Sequence, residues 1–181
     1  MEYFHTFNSI SHILLGKSIT RMLCKKMKGN NTPVIVCIGT DRATGDCLGP
    51  LVGEQLIDYN EAYKVYGCLS APVHALNIEN VITSIYDTVS NPFIIAIDAS
   101  LGPSSHVGQV SLSDSPLYPG RGVNKKLPAI GNISITGIVN VSGRSASFIQ
   151  TTRLYNVVKL ADCISGGLKY SIDYLEDFCP L

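Results

Sequence analysis

What this chain lacks narrows its role first. Charged residues make up only 15% of its 181 residues, against about 25% in an average domain. Lys plus Arg (14) balance Asp plus Glu (14), so no field of one sign exists to hold a phosphate backbone. No nucleic-acid partner is therefore expected. The six cysteines include no C-x-x-C pair, which argues against a zinc ribbon or a thioredoxin-type redox motif. Cys37 lies inside the run Val34-Ile35-Val36-Cys37-Ile38, where a thiol behaves as a small hydrophobe. Reduced thiols in a cytoplasmic compartment are the expectation. Met1–Thr20 has no basic start and no long apolar core, and nothing approaches the ~18 apolar residues of a membrane span, so no secretion signal and no membrane partner are expected. With 45% apolar residues and no net charge, the chain is not disordered.

What is present reads as one domain over residues 1–181, within the usual ~100–200 residues. A first helix is expected after a cap at Asn8 or Ser9, with Leu15, Ile19, Met22 and Leu23 at helical spacing and Lys25, Lys26 and Lys28 in its last turn. Val34–Ile38 follows as a strand, then a polar glycine loop, then a helix opened by Leu48-Gly49-Pro50 with Pro50 in the first helical position. Tyr63–Leu69 reads as a second strand. Asn77 is expected to cap a helix striped with Ile78, Val81, Ile82, Ile85 and Val89, and Phe93–Ile97 is a third strand ending at Asp98. Strands that are apolar throughout suit a parallel sheet covered on both faces. Their alternation with helices implies a three-layer α/β/α sandwich with a mostly parallel sheet. The glycine- and proline-rich stretch 99–145, with strands at Gly108–Leu112 and Ile133–Val139, reads as a rim over the sheet edge. A helix over Ser147–Ile164, with Leu154 on its apolar side, is expected to end or kink at Gly166-Gly167 before a last helix, Leu168–Phe178.

In open α/β sheets ligands sit beyond the carboxyl ends of the strands. Two segments bring acids there: Gly39-Thr40-Asp41-Arg42-Ala43-Thr44-Gly45-Asp46 and Asp98-Ala99-Ser100-Leu101-Gly102. If their strands are neighbours, Asp46 and Asp98 face each other across a cleft. Two carboxylates in one site resist ionising together. Asp46, just before a helix N-terminus, is the expected ionised member, and Asp98, leaving an apolar strand, the protonated one. Such a pair can activate water and protonate a leaving group. Taken singly, Asp46 reads more readily as a helix cap and Asp98 as a turn former; it is their joint placement at two strand ends that brings the catalytic reading level. Thr40, Asp41, Arg42, Thr44 and Ser100 line the same crevice, and Arg153, near the start of the late helix, stands to orient an acid in it. Cys47 and Ser100 are the nearest nucleophiles, neither with an obvious base. Five residues separate Gly39 from Gly45, and Asp46 follows, so the loop is not a P-loop, and G-x-G-x-x-G is missing. His5, His12, His74 and His106 show no helical metal spacing. His74 and His106 read as surface or turn residues that can reach the cleft.

Four stretches together resemble one family: Ile38–Leu51, Ala96–Gly102, Gly131–Val141 and Gln150–Leu154. They are similar to the signatures of the YyaC-type sporulation proteins, and the likeness runs from about Pro33 to Ala161. It implies a protease-like protein of spore-forming bacteria, cytoplasmic in the mother cell or forespore. That family is in turn distantly similar to the spore germination protease and the hydrogenase maturation proteases, which implies a phosphorylase/hydrolase-like α/β/α fold. In the germination protease two catalytic aspartates occupy a D-x-L-G-P segment and a strand-end D-A segment. These match Asp46-Cys47-Leu48-Gly49-Pro50 and Asp98-Ala99. The maturation proteases bind nickel through Glu, Asp and a downstream His. Asp46 and Asp98 stand for the first two, but Gly131–Ser142 has no histidine, so no metal and no cofactor are expected.

Three functions fit these residues. The first is an aspartic-type endopeptidase of sporulation or germination, with a protein or peptide substrate and an Asp46/Asp98 dyad. The second is a non-catalytic protein-binding module on the same fold. The third is a metal-dependent maturation factor with His74 or His106 as a ligand.

Overall fold

The computed structural model describes residues 1–119, 128–143 and 152–178. Its strands are β1 (Glu2–His5), β2 (Thr32–Cys37), β3 (Lys64–Tyr66), β4 (Pro92–Gly102), β5 (Gln109–Ser113) and β6 (Ile133–Val141). Its α-helices are α1 (Ser11–Lys26), α2 (Leu48–Leu56), α3 (Ile78–Thr88) and α4 (Leu154–Phe178). The strands form one sheet in the order β1-β5-β6-β4-β2-β3. β3, β2, β4 and β6 run parallel, and β5 and β1 are added antiparallel. The sheet is mixed and mostly parallel, with helices on both faces, as the apolar strands imply.

Alternation along the strands divides the core in two. Ile35, Cys37, Ile95, Ile97, Ile133 and Ile135 point to one face, against Leu15 and Ile19 of α1, Leu48 and Val52 of α2 and Leu160 and Ile164 of α4. Val34, Val36, Ile94 and Ala96 point to the other, against Ile78 and Ile85 of α3. Full burial of each such aliphatic side chain is worth about 1.5–3 kcal/mol. Truncating fully buried Ile95 to alanine would cost about 2–5 kcal/mol.

Several local expectations differ from the structure. β1 has no counterpart in the apolar pattern, because a four-residue edge strand packed on one side buries only one side chain, Phe4, and that one in part. α1 begins after Ile10 without a side-chain cap; Asn8 instead accepts the Ile10 N–H in a local turn. Pro50 is the third residue of α2, not the first, and its missing N–H still costs no helical bond there. β3 stops at Tyr66, where Gly67 turns the chain with φ 92°. The described part of the stretch 99–145 is not confined to a rim over the sheet edge: it supplies β5 and β6, and β6 lies between β4 and β5. α4 runs through Gly166 and Gly167 without interruption. Those glycines serve close packing instead, since a Cβ at Gly167 would lie 2.9 Å from the Leu15 side chain and 3.2 Å from the His12 carbonyl oxygen of α1. Leu154, expected on the apolar side of that helix, is exposed. The part of the expected helix over 147–151 lies outside the described residues.

Candidate active site

The strand order sets the site. From β2 the chain crosses through α2 to β3 on one side, then returns through α3 to β4 on the other side. Right-handed crossovers place α2 and α3 on opposite faces of the sheet, as the two apolar clusters show. A crevice therefore opens between the carboxyl ends of β2 and β4, at the point where the winding reverses. Asp46 comes from the loop after β2 and Asp98 from β4, so the topology brings the two segments to one crevice.

The loop from Gly39 to Asp46 is tied down by its backbone. Gly39 N–H donates to the Val73 carbonyl at 2.7 Å, and Thr40 N–H donates to the Asp46 carbonyl at 3.1 Å. Gly39 has φ 146° and sits against the Asp46 carbonyl, a position with no room for a side chain. Gly49 is as constrained. A Cβ there would overlap the Ile38 carbonyl oxygen and lie 2.7 Å from its carbonyl carbon. The glycine thus seats the first turn of α2 on the end of β2, and Asp46, two residues before the helix, is carried with it. Thr40 Oγ1 accepts the Arg42 N–H at 3.3 Å. Asp41 and Arg42 form the exposed tip of this loop, and Thr44 is half-buried at its base.

β4 does not end at Asp98 as its apolar run implies; it continues to Gly102, paired with β6. Asp98 is instead the first residue beyond the β2 pairing, which stops at Cys37 and Ile97. Its carboxylate accepts the Ala99 N–H at 2.8 Å. By alternation Asp98 and Ser100 share the sheet face of Ala96, the face covered by α3. Burial raises the Asp98 carboxyl well above the usual carboxylate range; the Asp46 charge adds to this, and the Ala99 N–H opposes it. Asp46 is raised too, by burial, but is held down by the Thr40 N–H and by the charge of His74. The order of the two groups, Asp98 the harder to ionise, follows from these surroundings.

His74 is the residue that sequence reasoning undervalued. Val73 bridges Ile38 in parallel beyond the end of β2, which sets His74 beside the Asp46 loop. Its main chain is fixed by Asn77, whose side chain accepts the His74 N–H at 2.8 Å. A one-residue bridge leaves no periodic trace in a sequence; Pro72 before it was the only local sign. His106 lies elsewhere, its ring 4.5 Å from that of Tyr3. Arg153 is exposed, its carbonyl accepting the N–H groups of Asn156 and Val157, and it forms no ion pair with either aspartate among the described residues. The Cys47 thiol is pushed up by burial and by the charges of Asp41 and Asp46, the reverse of what a nucleophile needs. Among the described residues no group of three His, Cys, Asp or Glu is arranged to hold a metal ion. Asp46 and Asp98 belong to no such group among the described residues and do not fit a three-ligand metal site. No helix among the described residues is long and apolar enough to cross a membrane.

A family model described as a protein of unknown function, DUF1256, matches residues 9–167, and the chain belongs to that family. It is 50% identical over 137 residues to the uncharacterized protein YyaC of Bacillus subtilis strain 168, covering 75% of this chain and 67% of that one. The resemblance carried by the motifs is therefore found over most of the sequence. Against the germination protease of Bacillus licheniformis the identity is 33% over 109 residues, which is 51% of this chain but 30% of that protein. Among solved structures, the [NiFe] hydrogenase maturation protease HycI of Thermococcus kodakarensis KOD1 aligns with a TM-score of 0.49 and 16% identity, over 84% of this chain and 99% of that one.

Proposed function

We propose that this chain is an aspartic-type peptidase of sporulation or germination, in which Asp46 and Asp98 direct a water molecule at a peptide carbonyl. What supports the reading is that the segments carrying Asp46 and Asp98 meet at the switch point of the sheet, where burial raises the Asp98 carboxyl and the Asp46 charge adds to it. The Bacillus relatives, one of them named a germination protease, support the protease-like part of it. The cytoplasm of the mother cell or forespore is the compartment that fits.

Asp46 is the base. Burial raises it, yet the Thr40 N–H and His74 favour its charged form, as does its place before the N-terminus of α2. Asp98 holds the proton. The Asp46 carboxylate takes one proton from water as the oxygen adds to the carbonyl carbon. Collapse of the tetrahedral intermediate breaks the C–N bond, and the Asp98 proton passes to the departing amine. Asp46 is left protonated and Asp98 ionised, and transfer between them restores the starting state. Each proton transfer by a positioned group contributes typically ~10²–10⁴ in rate.

The test is incubation of the purified chain with a mixture of random dodecapeptides across pH 4–8, with cleavage followed by mass spectrometry. The expected result is cleavage that falls at least about a hundredfold in Asp46→Asn and in Asp98→Asn. No cleavage at any pH, or cleavage that survives both substitutions, rejects the reading.

A further inference from the structure

The crevice holds a second feature that the carboxyl pair does not use, a short edge of β4 that no strand among the described residues covers. The last bond between β2 and β4 is Ile38 N–H to the Ile97 carbonyl, at 2.7 Å. β4 then runs on beside β6 alone, as far as the pair Gly102 and Val141. Main-chain groups alternate sides along a strand. The Ile97 carbonyl faces β2, and the Gly102 carbonyl accepts Ser142 N–H on the β6 side at 2.7 Å. The register against β6 shifts between Ser100 and Leu101, with the extra residue, Val139, on β6; along β4 Asp98, Ser100 and Gly102 therefore still face β6, and Ala99 and Leu101 face the crevice.

Of these inward groups, Ala99 N–H is occupied by the Asp98 carboxylate. Among the described residues nothing pairs with the Ala99 carbonyl, the Leu101 N–H or the Leu101 carbonyl. The whole segment from Asp98 to Gly102 is half-exposed. Three main-chain groups in a row with no partner among the described residues are matched by another extended main chain, the arrangement by which peptides add to sheet edges.

We infer that an extended peptide segment binds along Ala99–Leu101 as an added strand, which draws its main chain past Asp98. This deepens the peptidase reading and rests on it for the fate of the peptide. Recognition is by backbone, so the substrate class is unfolded or extended segments of tolerant sequence; a helical segment has no free main-chain groups to offer. Side chains of the bound strand alternate between the Asp98 face and the α2 face.

The test uses one dodecapeptide retained from the random mixture by the immobilised full chain, and a set of copies each N-methylated at one position. A peptide bound as a strand loses affinity by about tenfold or more at alternate positions and little at those between. Leu101→Pro removes only an edge-facing donor and is expected to weaken the parent peptide similarly, with Leu101→Ala as the control that keeps the N–H. An alternating scan without cleavage upholds the inference and rejects the hydrolysis. Cleavage with a flat scan upholds the hydrolysis and overturns the inference. No retained peptide, or self-association of the chain that Leu101→Pro abolishes, overturns it by leaving the edge to no peptide or to a second copy.

Discussion

Gly49→Ala probes how the sequence holds Asp46 in place. Gly49 lies in the first turn of α2, where alanine is better than glycine by about 1 kcal/mol in a free helix. Here a methyl would overlap the Ile38 carbonyl oxygen and lie 2.7 Å and 2.8 Å from its carbonyl carbon and nitrogen. Ordinary contact is reached at about 3.4 Å or beyond, and all three atoms belong to Ile38, which is held by its N–H bond to the Ile97 carbonyl and its bridge to Val73. Overpacking of this kind costs about 3 kcal/mol. The net loss is then about 2 kcal/mol, or roughly 4–8 °C in Tm for a chain of this size. Gly29→Ala is the control, since nothing lies within 4 Å of a Cβ there; it should stay within about 0.5 kcal/mol. Calorimetry of the two variants beside the parent checks both values. An unchanged Tm for Gly49→Ala would refute the claim that contact with Ile38 fixes the start of α2, and with it the placement of Asp46.

Three further outcomes follow from the same groups. Asp98→Asn should stabilise the fold at pH 7: a carboxyl raised above its ordinary 3.8 contributes fully below that value and loses its contribution as pH rises through the folded one. Each unit of separation is about 1.4 kcal/mol. Urea unfolding should therefore show a larger gain at pH 7 than at pH 4, and a loss at pH 7 would contradict it. His74→Ala removes a charge that lowers Asp46, so the acid limb of kcat/KM against pH should move to higher pH; a limb that stays put would remove His74 from the site. Asp46→Asn relieves a charge that raises the Cys47 thiol, and alkylation of Cys47 at pH 8, followed by peptide mass mapping, should speed up. An unaltered rate would separate the two side chains.

The central layer was legible because its signal is strong and redundant. Val34–Ile38 and Phe93–Ile97 are apolar on both faces, which only an interior parallel strand tolerates, and the acids after them fall where switch-point crevices lie. β1 was not legible, since four residues at an edge bury too little to leave a pattern. The continuity of α4 was hidden by Gly166 and Gly167, whose helix-breaking tendency is offset by the contact with α1 that their size permits. The overhang of β4 beyond Asp98 was missed for a similar reason. Ala99, Ser100 and Gly102 are held extended by β6 from one side, a tertiary effect that outweighs local propensity. Arg153, read from its place near the start of the late helix either as orienting an acid in the crevice or as part of a solvated helix face, is exposed.

The carboxyl pair itself can be observed without any substrate, by 13C NMR titration of the Asp46 and Asp98 side-chain carboxyls in the parent chain and in Asp46→Asn. The account predicts that Asp98 keeps its proton well above the usual carboxylate range and that its midpoint falls when the Asp46 charge is removed. An Asp98 that ionises like an exposed aspartate, or whose midpoint ignores Asp46, would contradict it.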